Sequence, residues 1–399
     1  MRRILHTVLC IGVLAALAGC AKEALAPAAE NSRVIKWNVS TNSPATKVYP
    51  TGSTEYSTSN SFGSYALLYT GSSASDWATA SYTSYINGLQ IRYFGVGTPM
   101  WSTMTEYYWP TAASARLHFA SFSPYKTLHN KAIYGSKTDG ITINDYIVPA
   151  DKQDQHFLTV QGEDPIYDDD IMVSNEYDVD CEAMQSADLG PTYAFTGVPT
   201  KFTHVLTRIN IRFIHNTDFH VNYYDEQTIS IRGVTFKNIY TEGAFKSNPD
   251  TNGDPRPAWS NHSSQAASAV LYKSNIGTAA IQQGTSAEVA GGTVTPTTVV
   301  SGYLALPQTI SSGVQQVEVS YRITSKVSGY LFTEDVVETA YLSLANQNWL
   351  PNTDLTYTIT LFAIREQPIR FTASCEPWID CAPGGVETPG QNFHITEED

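Results

Sequence analysis

Apolar and polar residues alternate one for one through stretch after stretch of this chain. That period of two dictates extended strands with one face buried. Ile209, Ile211 and Phe213 face one way while Arg208, Asn210 and Arg212 face the other. Val317, Val319, Tyr321 and Ile323 alternate with Gln316, Glu318, Ser320 and Arg322, and Leu355, Tyr357, Ile359 and Leu361 alternate with Thr356, Thr358 and Thr360. Shorter runs place Ile35, Trp37 and Val39 on one face of a first strand, and Leu117 and Phe119 opposite Arg116 and His118. Ile229 and Ile231 share a phase that Val234 and Phe236 break, and the glycine between them, Gly233, predicts a β-bulge. Helical periodicity is nearly absent, and clusters of turn residues at 248–255 and 284–296 separate the strands. Strands with one polar face each imply antiparallel sheets packed as sandwiches, an all-β fold.

Composition narrows the setting. The chain has 399 residues, room for two ordinary domains. Its net charge of −14 argues against nucleic acid or an anionic membrane surface as a partner held by charge. Charged residues make up only 16% while 24 residues are Tyr, a balance suited to the half-wet faces of extracellular sheets.

The amino terminus places the protein outside the cytoplasm. Met1-Arg2-Arg3 precedes an apolar run from Ile4 to Ala18, shorter than the roughly twenty residues of a membrane span and closing on Leu17-Ala18-Gly19-Cys20. That order resembles the lipobox of bacterial lipoproteins, which implies a signal peptide over 1–19, a lipid on Cys20 and anchorage to the outer membrane. Residues 20–33 read as a flexible tether, and Ala21-Lys22-Glu23 stands where an acidic surface-export run often follows the lipidated cysteine. A boundary near Gly197-Val198-Pro199 divides the rest into an N-terminal sandwich, 34–198, and a C-terminal one, 199–381, followed by a tail, 382–399. In an oxidising compartment Cys375 and Cys381 are close enough in sequence to pair; the alternative is that they and Cys181 stay thiols.

Four stretches carry a wider resemblance. They are Ile35-Lys-Trp-Asn-Val39 with Ala45-Thr-Lys47; Tyr107-Tyr-Trp-Pro110 leading into Leu117–Pro124; Asp170-Ile-Met-Val173 followed by Phe202–Ile209; and Trp349–Leu361 closing with Ile369-Arg-Phe371 and Trp378. In their order and spacing they resemble the fimbrillin superfamily, the lipoprotein pilins and accessory subunits of anaerobic Gram-negative bacteria. The resemblance implies two transthyretin-like β-sandwich domains in tandem. It also implies a structural or adhesive role in cell-surface fimbriae, with other fimbrial subunits, self or accessory, as partners.

By the same resemblance, stalk-type members are cut by a trypsin-like protease that releases the first strand and opens a groove. A cut at Arg33 leaves Ile35, Trp37 and Val39 in the fold, whereas a cut after Lys47 frees them, and the next basic residue is Arg92. The tail, with Phe393 and Ile395, is the candidate donor of a replacement strand.

Rival readings rest on fewer residues. No Gly-x-Ser-x-Gly, His-Glu-x-x-His or phosphate-cradling loop is present, so no catalytic or cofactor-binding residue is assigned and the chain reads as a non-enzyme. Asp164, Asp168, Asp169 and Asp170 could bind a hard cation but read better as a loop, Asp250-x-Asn252-x-Asp254 reads as a turn, and no metal site is assigned. His204 reads as a hydrogen-bonded core histidine. The alternative function is a non-polymerising surface lipoprotein holding a glycan or host ligand on exposed Trp77, Trp101 and Trp109 with neighbouring tyrosines.

Overall fold

A computed structural model describes residues 34–41, 56, 58, 60–71, 81–95, 100–112, 114–125, 133–155, 157–158, 166–167, 170–174, 176–181, 197–218, 224–249, 255–311, 313–342, 348–363, 370–377 and 393–394. The strands of the first part are β1 Trp37–Thr41, β2 Ser61–Tyr69, β3 Thr83–Phe94, β4 Met100–Ser102, β5 Arg116–Ser123, β6 Ile133–Ser136, β7 Gly140–Ile147, β8 Phe157–Leu158, β9 Ile166–Tyr167, β10 Met172–Ser174, β11 Tyr177–Asp180 and β12 Val198–His204. Those of the second are β13 Thr207–Asn216, β14 Glu226–Lys237, β15 Ile239–Pro249, β16 Pro255–Ala266, β17 Ala269–Lys273, β18 Gln283–Gly284, β19 Thr297–Ala305, β20 Gln316–Val327, β21 Tyr330–Tyr341, β22 Thr353–Phe362, β23 Arg370–Pro377 and β24 Phe393–His394. One short helix, α1, spans Ser286–Ala290.

The fold is all-β, and the long alternations of the sequence appear as alternations of burial, whereas β5 is buried on both faces, His118 together with Leu117 and Phe119. Along β20 and β22 every second residue is buried, as the period of two requires. The sheet β17-β14-β20-β21 packs against one in which β13 lies between β19 and β22, with β23 and β24 beyond. Ile209, Phe213, Ile231, Phe236, Tyr321 and Tyr357 belong to the core between these layers. The β14–β20 register slips between Ile231 and Gly233, where the bulge was expected, and a Cβ on Gly233 would meet Ser320 Oγ at 2.6 Å. Two central pairings depart from the antiparallel expectation: β13 runs parallel to β22, and β1 runs parallel to β12.

The first part is built differently. Its strands follow the order β10-β12-β1-β4-β3-β2-β5, and β5 pairs back to β10, so the sheet closes into a ring, with β11 also on β5. Phe62, Ile86, Ile91, Leu117, Phe119 and Phe202 belong to its core. The expected boundary falls within β12, which lies in this ring, and the chain enters the second part through buried Val205 and Leu206.

A third cluster joins the parts. Strand β7 lies outside the ring and pairs with β15, so a strand of the first part belongs to the sheet β16-β15-β7-β6. Tyr146 packs against Trp259, whose indole N–H donates to Val205 O at 2.8 Å. Gln155 clamps the edge of β19, accepting from Leu304 N at 3.0 Å and donating to Leu304 O at 2.7 Å.

The turn expected over 284–296 holds α1. Thr285 caps it, accepting from Glu288 N, while Glu288 reaches back to Thr285 N, a reciprocal capping box.

Candidate functional site: the first-strand slot

Strand β1 is an interior strand although it stands at the start of the described chain. On one side it forms a five-residue parallel ladder with β12, from Trp37↔Val198 to Thr41↔Phe202. On the other it meets β4 at Trp37↔Trp101, and Ile35 N donates to Tyr107 O at 2.8 Å. Removing β1 would therefore leave two unpaired edges, β12 and β4, facing across a gap in the ring.

Side chains fix the strand's register. Ile35 and Trp37 are buried in the ring core, and Val39 is half-buried against it. Trp37 stands edge-on to Phe119, with ring centroids 6.2 Å apart, and its indole N–H donates to Ser64 Oγ at 3.2 Å. Ser64 is bonded to Ser121 Oγ at 2.9 Å, and Ser121 N donates to Ser174 Oγ at 2.9 Å. A buried polar string thus crosses the ring through β1, β2, β5 and β10, satisfying hydroxyls that an apolar core would otherwise penalise.

Gly197 completes the slot. It has φ +77°, and a Cβ there would lie 2.7 Å from the carbonyl C and O of Lys36. Only glycine lets the backbone pass this close while adopting that conformation.

A charged cluster lies where β11 pairs with β5. His118 on β5 is cross-strand neighbour to Asp178 on β11, with Nδ1 at 2.6 Å from Asp178 Oδ1 and Nε2 at 3.0 Å from Glu176 Oε2. Lys137 also reaches Asp178, at 2.9 Å. Burial alone would lower the His118 pKa, but the two carboxylates outweigh it and raise it. Burial raises Glu176 against the pull of His118 and Lys137; burial also opposes ionisation of Asp178, but His118 and Lys137 bring it below its ordinary value. With both ring nitrogens facing carboxylates, the imidazolium is the form that fits. Gly140, φ +63°, leaves room for Glu176, whose Oε1 would lie 2.0 Å from a Cβ there.

The other residues singled out by sequence are distributed as follows. Cys20, Arg33, Lys47, Trp77, Cys381, Asp164, Asp168, Asp169 and 250–254 lie outside the described residues. Cys375 is in β23, with its backbone opposite Leu355, and Cys181 is a buried free thiol. His204 is a core histidine, its Nδ1 2.9 Å from Asp170 Oδ1, so Asp170 serves a buried pair rather than a cation loop. Trp101 and Trp109 are buried, which corrects their reading as exposed stacking surfaces: both pack in the ring core. Among the described residues no group of three or more His, Cys, Asp or Glu could hold a metal ion, and no helix is long and apolar enough to cross a membrane. A cleft of about 390 Å³ in the second part is lined by His215, Asp225, Glu226 and Glu288 among others. Two of its carboxylates are engaged, Asp225 by Ser328 N and Glu288 by the capping box.

The described residues are nearly all strand, the first of those strands fills an interior slot, and comparison supplies the chain's kin. The family model for fimbrillin-like proteins matches residues 46–378, and the chain belongs to that family. A fimbrial protein from Bacteroides vulgatus shares the fold, with a TM-score of 0.56 at 15% identity over 87% of this chain and 99% of that one. A candidate cell adhesion protein from Bacteroides uniformis aligns at 14% identity over 87% and 97% of the two chains, with a TM-score of 0.42. Another from Bacteroides ovatus aligns at 15% identity over 87% and 98%, with a TM-score of 0.41. Comparison with the curated proteins finds no match.

Proposed function

We propose that this protein is a non-enzymatic subunit of cell-surface fimbriae, joined to its neighbours by replacement of β1. Membership of the fimbrillin-like family supports the fimbrial or adhesive role. The observation that carries the assembly mode is the position of β1: interior to a closed ring, yet at the start of the described chain and held to β12 by five residues. A segment so placed can be withdrawn without unthreading any other described strand. The edges it leaves offer main-chain hydrogen bonds to an incoming strand, and the vacated places of Ile35 and Trp37 accept alternate apolar side chains.

The tail supplies the incoming strand in this reading. Phe393 and His394 form β24, a two-residue ladder on β23, a short attachment suited to release. Lipid on Cys20 holds the newly exported chain at the outer membrane, and cleavage after Lys47 parts the fold from both lipid and β1. Burial of Trp101 and Trp109 takes from the glycan-binding alternative two of the aromatics on which it rested.

Lys47→Ala tests the switch. The variant should fold as a monomer with unchanged secondary structure and give none of the detergent-resistant ladder of wild-type chains after trypsin-like cleavage. A Lys47→Ala ladder equal to wild type would contradict the proposal.

A further inference from the structure

Nearly all the sheet edges among the described strands are short, irregular or covered. β6 and β11 have four residues each, and β16 carries Pro255 and Pro257 and a register shift against β15. β17 has five residues and a register shift, β19 is clamped by Gln155, and β24 lies along β23. β21 is the exception. It runs for twelve residues against β20 without a register shift, pairs on one side only, and contains no Pro, Gly or Lys. Natural edges of that length are ordinarily blocked by Pro, Lys or a bulge, and one without them is a template for another strand. The charges of β21 are Glu334, Asp335 and Glu338, of which Asp335 is paired with Arg322 and Glu338 is bonded to Tyr321. Five of its large apolar side chains are exposed: Tyr330 73%, Leu331 68%, Phe332 58%, Val337 65% and Tyr341 50%.

We propose that the free edge of β21 pairs antiparallel with β21 of a second copy of this chain across a two-fold axis at Val337. The strand is self-compatible in one long register, in which a second copy lies along it with no like charges opposed. A two-fold axis perpendicular to the sheet sets residues of the same face opposite one another, with one residue opposite itself. Centred on Val336, the pairing sets Glu334 against Glu338; centred on Glu334, Asp335 or Glu338, it sets an acid against itself. Like charges directly opposite are destabilising. Centred on Val337, Asp335 meets Thr339, Glu338 meets Val336, Glu334 meets Ala340 and Thr333 meets Tyr341. No acid then faces an acid, and residues 333–341 all pair, a longer overlap than the centres at Thr333 or Thr339 allow within β21. Of the two carboxylates nearest the axis, Glu338 accepts from Tyr321 OH at 2.6 Å, and Asp335 is paired with Arg322, whose Nε lies 2.7 Å from Asp335 Oδ1.

One strand pair buries less than the roughly 1,200–2,000 Å² of a stable complex. The association is therefore weak and is best read by trapping. Directly opposed residues have Cα atoms about 4.5–5.5 Å apart, within the range a disulfide spans. Under mild oxidation, full-length Val337→Cys should become mostly covalent dimer, whereas Thr333→Cys should stay at the wild-type background because its own counterpart is eight residues away along the ladder. No dimer above background for Val337→Cys would overturn the proposal and leave the edge to a strand of a different protein. Equal trapping of both variants would overturn the register. Val337→Lys, which places like charges on the axis, should abolish the reversible dimer seen by sedimentation while leaving the monomer's circular dichroism unchanged.

Discussion

Trp37→Ala is expected to destabilise the monomer by about 3–5 kcal/mol, the range for emptying a buried tryptophan site. Trp37 is 2% exposed and lies where β1 touches both neighbours, Val198 on one side and Trp101 on the other. Its loss removes the edge contact with Phe119 and the indole bond to Ser64. Ser64 keeps its partner Ser121, so the cost is mostly packing. Trp37→Phe, which keeps one six-membered ring but gives up the fused pyrrole and its N–H, should lose less, about 1–3 kcal/mol. Denaturant unfolding gives both numbers, and hydrogen exchange should show β1 amides opening before those of β13 and β22. A loss under about 1 kcal/mol for Trp37→Ala would mean that the slot is not held by its central side chain.

His118→Ala should have an effect of similar size with a different pH signature. Both side chains of the His118–Glu176 pair are 2% exposed, and removing one partner of a buried pair costs about 3–5 kcal/mol. The raised pKa of His118 gives stability that is full below its unfolded value, about 6.5, and is lost as pH rises through the folded value. The depressed pKa of Asp178 gives stability that is full above about 3.9 and is lost as pH falls through the folded value. Glu176 is raised, so ionising it in the folded state is unfavourable, and without His118 that penalty deepens as pH rises past about 4.3. The gap between wild type and His118→Ala should thus be widest between the ordinary carboxylate range and the raised histidine value, and should narrow in acid as Glu176 takes up a proton. Adding Glu176→Gln to His118→Ala should recover most of the loss near neutral pH. A gap that widens steadily into acid would reverse the assigned charges.

Much of the fold could be read from alternation because alternation reports which face of a strand is buried. The runs at 208–213, 316–323 and 355–361 lie in β13, β20 and β22 with inward faces as expected. Alternation does not report neighbours. The parallel partner of β1 lies some 160 residues along the chain, and nothing in Trp37-Asn-Val-Ser-Thr41 points to Val198–Phe202. Sequence also gives no sign of polar partners that lie far apart along the chain. Ser64, Ser121 and Ser174 carry no mark of their own, yet they form the string that Trp37 joins. Trp101 and Trp109 look like surface aromatics until the ring closes over them. Two signals were available locally: Thr285-x-x-Glu288 spells a capping box, and Gly197 marks a tight approach whose target only the structure supplies.

The central claim is that β1 is a temporary filling of its slot. Mass-spectrometric determination of the first residue of subunits within assembled fimbriae, taken from cells that make this protein, tests it most directly. The account predicts chains that begin at Val48, immediately after Lys47 and without Val34–Val39. Assembled chains that begin at the lipidated Cys20 and retain those residues would contradict it, and would assign the protein to the base of the fibre, anchored rather than exchanged.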